Sequence, residues 1–179
     1  MMAKYNPYLT KLMFSLIALC LVLIGNSAMA STTQSDWQIE QLIEETERQY
    51  AIPSGLLAAI AKIESEMNAY ALNINGKAVF ANNSLEASDH VESALAKDIR
   101  NIDVGVMQLN YRWHGDGFAG IREMLEPQKN IEYAAIFLLR LKKRHGTWYE
   151  AIKYYHSSEP ERQYNYSYKV VMEWGKRYA

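Results

Sequence analysis

Glu64 is the first side chain whose setting points to chemistry. It lies in Ile52-Pro53-Ser54-Gly55-Leu56-Leu57-Ala58-Ala59-Ile60-Ala61-Lys62-Ile63-Glu64-Ser65-Glu66-Met67. Leu56, Ile60, Ile63 and Met67 recur at helical spacing and make one apolar stripe. At about 100° per residue, Glu64 falls about 60° from the centre of that stripe, beside Leu57. A carboxyl at the edge of a buried face is partly desolvated, and desolvation raises its pKa. A carboxyl that keeps its proton near neutrality is what a general acid requires. On the helix alone, an ordinary boundary glutamate reaching out to water fits as well.

A second segment carries polar groups of another kind. In Asp103-Val104-Gly105-Val106-Met107-Gln108-Leu109-Asn110 the glycine permits a close backbone approach. Gln108 offers donors and acceptors together, as sugar hydroxyls and acetamido groups require, or as a neighbouring backbone would. The histidines (His90, His114, His145 and His156) include no pair at metal-binding helical spacing and no HExxH. No Gly-rich phosphate loop and no G-x-S-x-G elbow is present. No metal or other cofactor is therefore expected.

The elements around these residues read as mainly helical. Ser35 and Gln38 fit a capping box that opens a helix bearing Ile39, Leu42, Ile43 and Tyr50. Pro53 is expected in the first turn of the Glu64 helix. Asn75-Gly76 between two short apolar runs predicts a β-hairpin over 71–81. A helix is expected from Leu85 to Arg100, then a loop from Asn101 to Asn110 running into a short helix. Gly115-Asp116-Gly117 reads as a flexible loop and Ile121 to Leu125 as one helical turn. A long helix starts at Pro127 or Asn130 and ends in Lys142-Lys143-Arg144-His145-Gly146, cations followed by glycine. Thr147 and Glu150 cap a helix from Trp148 to Tyr155. Ser157 to Pro160 breaks it, and a last helix carries Tyr164, Tyr168, Val171 and Trp174. The fold class is mainly α, a single helical domain with a small hairpin.

The first thirty residues read as an address. Lys4 and Lys11 precede the apolar run Leu12 to Ile24, and Ala28-Met29-Ala30 is an A-x-A cleavage site, so residues 1–30 fit a cleavable signal peptide. The run is short for a membrane span. Cys20, the only cysteine, lies inside it, so residues 31–179 hold no disulfide or thiolate. Those 149 residues suffice for one domain with a real core. They carry 17 basic and 20 acidic side chains, a formal charge of −3 with no basic patch, so nucleic acid is not an expected partner. A periplasmic or secreted protein is expected.

Glu64-Ser65, Gly105-Val106-Met107-Gln108, Asn130-Ile131 with Ala134-Ala135-Ile136-Phe137-Leu138, and Ala151-Ile152-Lys153-Tyr154-Tyr155-His156-Ser157 come in a recognisable order. Together they resemble the lytic transglycosylase SLT family, which has a goose-lysozyme-like domain and cleaves peptidoglycan glycan strands. The resemblance spans roughly residues 36–175. Asp-Val-Gly-Val-Met-Gln-Leu-Asn and Tyr-His-Ser are similar to the small single-domain members that accompany secretion, conjugation or pilus machinery, which implies components of such an apparatus as partners. By the resemblance, Glu64 matches the catalytic acid/base and Gln108 the glutamine beside the scissile bond. Tyr155 matches the tyrosine that hydrogen-bonds near the acid, Ser65 the serine after it, and Met107 a cleft-floor methionine. Asn130 matches a residue that orders the start of its helix.

The chain departs from the family pattern at three places. Glu64 and Gly105 are far apart in sequence, with the hairpin and the 85–100 helix between them. His156 stands where many members have asparagine, with Ser157 and Ser158 in place of a small-Gly pair. Asp103 stands where many have a small residue, which makes it the candidate second carboxylate. Two enzyme readings therefore remain: transglycosylation with Glu64 alone, or hydrolysis with Asp103 activating water. For Asp103, capping the following turn is the structural alternative. A third reading, from another class, is a non-catalytic peptidoglycan-binding subunit of an envelope machine. A partly buried acid gives a binder no advantage.

Overall fold

The computed structural model describes residues 37–177. The expected signal peptide, its cleavage site and the Ser35 cap lie outside these residues. From Ile39 onward the chain forms one compact unit.

The first described helix, α1 (37–49), turns Ile39 and Ile43 into the core. Glu47 follows them inward and is only 3% exposed. Its carboxylate accepts from the Gly55 and Leu57 amides, both at 2.7 Å. These amides open α2 (Leu56–Ser65), so a neighbouring helix supplies its anionic cap. Pro53 is therefore not in the first turn of α2, as the sequence pattern implied. Its carbonyl accepts from Leu56 at 3.1 Å and closes a turn before the helix. The backbone then passes through Gly55 at φ 78, where an added Cβ would lie 2.9 Å from Arg177.

Leu56 to Ala61 are all buried, which makes α2 the central helix of the core. Each fully buried Leu or Ile stabilises the fold by about 1.5–3 kcal/mol. α2 stops at Ser65, because Glu66 and Met67 both turn left-handed, at φ 55 and 68. Their amides return to the Lys62 and Ala61 carbonyls. Glu64 thus stands on the last turn of a helix whose other end is sealed.

The hairpin forms as expected, with β1 (Ala71–Ile74) antiparallel to β2 (Lys77–Phe80). Asn75 and Gly76 sit at φ 51 and 86, the left-handed pair a two-residue turn requires. The segment expected to be a loop adds two strands, β3 (Ile102–Val104) and β4 (Leu109–Asn110), in the order β2-β1-β3-β4. Three- and two-residue strands have no periodicity of their own to read; pairing with β1 makes them strands. Leu72, Val104 and Leu109 align across one face and are buried. Asn73, Asp103 and Asn110 align across the other.

α3 (Ser84–Leu95) is capped by the Asn83 side chain and ends earlier than Arg100. Asp98 turns left-handed at φ 58, and Ile99 bonds back to the Ala94 carbonyl. α4 (Tyr111–His114) runs into a 3-10 turn at Gly115–Gly117 in place of a free loop. A Cβ on Gly117 would lie 2.3 Å from the Tyr133 ring, so the turn is packed. α5 (Ile121–Met124) leads to α6 (Pro127–His145), which begins on its proline and ends at Gly146. α7 (Trp148–His156) is capped by Thr147, and α8 (Pro160–Lys176) follows.

α8 packs on α2 and α7, and α7 packs on α6. Its buried residues are Gln163, Tyr166, Ser167 and Val170, while Tyr164, Tyr168 and Val171 face outward. The outward residues are three of the four the sequence pattern singled out. Two helical stripes compete on this helix, and packing against α2 selects the more polar one. The fold is mainly α and lysozyme-like, with a small antiparallel sheet. No helix among the described residues is long and apolar enough to cross a membrane.

Candidate active site

A cleft of about 790 Å³ opens between the sheet and the α6–α8 helices. Glu64 lines it from the end of α2, Asn73, Asp103 and Asn110 from the sheet, and Gln108 from the β3–β4 connection. Tyr155 and His156, at the end of α7, form the opposite wall.

The connection between β3 and β4 is held carbonyl by carbonyl. The Val104 carbonyl accepts from Asn130 Nδ2 at 3.0 Å, and that of Gly105 from Gln108 Nε2 at 2.8 Å. The Val106 carbonyl accepts from Ser65 Oγ at 2.7 Å, and that of Met107 from the Tyr155 hydroxyl at 2.9 Å. Asn130 is fully buried, and its Oδ1 also accepts from the Met107 amide at 2.8 Å. Gly105 lies at φ 78, where a Cβ would come 2.7 Å from Asn130 Nδ2. Four residues quoted for the family resemblance thus hold one loop: Ser65 ties it to the end of α2, Asn130 to α6 and Tyr155 to α7, while Gln108 braces it from within. An unpaired buried carbonyl costs about 1–3 kcal/mol, so each bond holds the loop in register with Glu64.

This geometry places the expected site residues differently. Ser65 is buried and bonded to backbone, and it does not line the cleft. Met107 is fully buried, so its side chain belongs to the core and not to the cleft floor. Asn130 orders the β3–β4 loop, beyond the start of its own helix. Gln108, at φ 45, uses its amide hydrogens on the Ala71 and Gly105 carbonyls and keeps its oxygen for the cleft. Tyr155 lines the cleft wall, and its hydroxyl binds the loop. Asp103 caps no turn: it sits within β3, and its carboxylate accepts from Asn110 Nδ2 at 2.8 Å.

Glu64 is half-buried. Burial raises its carboxyl from the ordinary 4.5 to about 7, the Tyr166 hydroxyl pulling it back and the Asp103 carboxylate adding to the rise. Burial also raises Asp103, against the hydrogen bond from Asn110 and the charge of His156. Two carboxyls in one cleft thus differ in environment, with Glu64 the stronger proton holder.

Tyr166 was not singled out in the sequence. It is 5% exposed, and its oxygen has no hydrogen-bond partner of good geometry among the described residues. It lies beside the Glu64 carboxyl, close enough to act on it. The i, i+3, i+4, i+7 spacing of Gln163, Tyr166, Ser167 and Val170 was the available signal. An aromatic ladder continues the wall away from Glu64. Tyr155 meets Phe137 at 5.5 Å, Phe137 meets His114 at 4.7 Å, and His114 meets Tyr133 at 5.5 Å between ring centroids. No group of His, Cys, Asp and Glu among the described residues could hold a metal ion.

A half-buried acid on a helix end, facing a small polar sheet across a sugar-sized cleft, suits glycan cleavage. The family model of the transglycosylase SLT domain matches residues 41–170. The chain belongs to the transglycosylase SLT family. Neither a curated protein nor a solved structure matches it. SLT domains are peptidoglycan lytic transglycosylases, which act outside the cytoplasm, and peptidoglycan is the substrate that membership implies.

Proposed function

We propose that this SLT protein cleaves the β-1,4 bond between N-acetylmuramic acid and N-acetylglucosamine without consuming water, leaving 1,6-anhydromuramic ends. The observation that carries the reading is Glu64, a carboxyl held near neutrality on the floor of the cleft. Its proton passes to the glycosidic oxygen, the C1–O bond breaks, and an oxocarbenium-like centre develops at C1. The sugar's own 2-acetamido group assists, because no protein nucleophile is required. Glu64, now ionised, takes the proton of the muramoyl C6 hydroxyl, and that oxygen closes on C1. The carboxyl is thereby returned to its starting state. Gln108 offers its free carbonyl oxygen to the sugar, and Tyr155 holds the loop that carries Gln108 against the acid.

A second reading is hydrolysis. It is favoured by Asp103, a carboxylate in the same cleft that serves no cap. There Asp103 activates water or stabilises the cation. Residues 31–179 are read as the catalytic domain, delivered to the periplasm or outside by a cleavable signal peptide at 1–30. The motif resemblance favours service to a secretion, conjugation or pilus apparatus. Mass spectrometry of the products from purified murein sacculi decides between the chemistries. Anhydro ends are one water lighter than reducing ends. Only reducing ends would establish the hydrolase, and bound glycan with no release would establish a binding subunit.

A further inference from the structure

His156 is a cleft residue that holds no part of the β3–β4 loop. It ends α7, and its imidazole lies flat against Tyr166, with ring centroids 4.4 Å apart and planes 9° apart. The same ring lines the cleft that Glu64 and Asp103 share. Tyr166 is the buried phenol beside the Glu64 carboxyl, and its oxygen has no hydrogen-bond partner of good geometry among the described residues. Face-to-face packing on His156 covers one side of that ring.

The charges around the imidazole decide how it acts. Burial lowers its pKa first; Asp103 on β3 raises it, and Arg162 and Lys169 on α8 lower it. The net direction is downward, so the charged imidazolium is disfavoured and the flat face of the ring is what it presents to Tyr166. Asp103, itself held by Asn110, is the carboxylate whose charge acts on the imidazole.

We propose that His156 is a positioning residue for the acid, clamping Tyr166 by stacking so that its hydroxyl stays beside the Glu64 carboxyl, with Asp103 orienting the imidazole. The inference rests on the reading of Glu64 as the acid. Releasing Tyr166 removes a donor that stabilises the ionised carboxyl, so Glu64 holds its proton to higher pH while losing its fixed geometry.

The test compares wild type, His156→Asn, His156→Phe, Tyr166→Phe and the His156→Asn/Tyr166→Phe double variant on soluble glycan chains. His156→Asn is expected to lower kcat by about ten- to a hundredfold, the scale of a misplaced acid, with KM little changed. The basic limb of its pH–rate profile should move to higher pH. His156→Phe keeps a flat ring and should stay within a few-fold of wild type, with its limb in place. In the Tyr166→Phe background, His156→Asn should cost nothing further, because its action runs through the phenol. Circular dichroism checks folding, and His156→Ala replaces His156→Asn if the latter does not fold. An unmoved basic limb, an effect confined to KM, or full additivity with Tyr166→Phe overturns the clamp. Retained turnover in Glu64→Gln would instead overturn the acid, so the two failures are distinguishable.

Discussion

Glu64→Gln separates the chemistry of the acid from its effect on the fold. The folded protein holds the Glu64 proton with a pKa of about 7 against an ordinary 4.5, chiefly through burial, with Tyr166 opposing and Asp103 adding. The unfolded chain keeps the ordinary value, so between these limits the folded state binds more protons. The stability this group contributes is full below pH 4.5 and is lost as pH rises through about 7. At about 1.4 kcal/mol per unit, the ionised carboxylate destabilises the fold at pH 8 by up to about 3 kcal/mol. Water in the cleft screens part of this, which makes the figure an upper limit. Glutamine keeps the shape and carries no charge. Glu64→Gln should therefore be more stable than wild type at pH 8, by up to roughly 6–12 °C in Tm for a domain of this size. At pH 4 the two proteins should melt together. The same variant should lose about 10²–10⁴-fold in turnover, because an amide delivers no proton. Calorimetry at both pH values and release of soluble glycan from sacculi read the two effects. An equal difference in Tm at both pH values would refute the burial argument, and substantial turnover would refute the acid.

Other perturbations test the remaining parts of the site. Wild-type turnover should fall about fivefold between pH 7 and pH 8, as the protonated fraction of a group at about 7 drops; a flat profile would mean that another group donates. Asp103→Asn removes a charge that raises Glu64, so its basic limb should move to lower pH while anhydro products persist. Collapse of activity in a folded Asp103→Asn protein would favour the hydrolase. Tyr155→Phe frees the Met107 carbonyl and should destabilise by about 1–3 kcal/mol in urea unfolding. Gln108→Ala frees two more carbonyl contacts and should lower turnover, with folding retained by circular dichroism. Glu47→Ala leaves the first amides of α2 without their anionic cap and should destabilise more than any of these without moving the pH–rate profile.

The sequence by itself determined the local features of this protein. The Thr147 cap, the Gly146 stop and the Asn75-Gly76 turn depend on neighbours a few residues away, and the structure reproduces each. The order of the motifs was enough to resemble the family to which the chain belongs. Glu64 could be picked out because an acid beside an apolar stripe is visible in one helix. Only the tertiary structure decided what the other polar residues do. Ser65, Gln108, Asn130 and Tyr155 come from four separate parts of the chain, and no spacing shows that they serve four successive carbonyls of one loop. Tyr166 and His156 became part of the site when packing chose one of two stripes on α8 and laid one ring on the other. Asp103 became a cleft carboxylate because β3 exists only by pairing with β1, which turns it, with Asn73 and Asn110, away from the core. Those choices depend on contacts distant in sequence, and such contacts have no local signature.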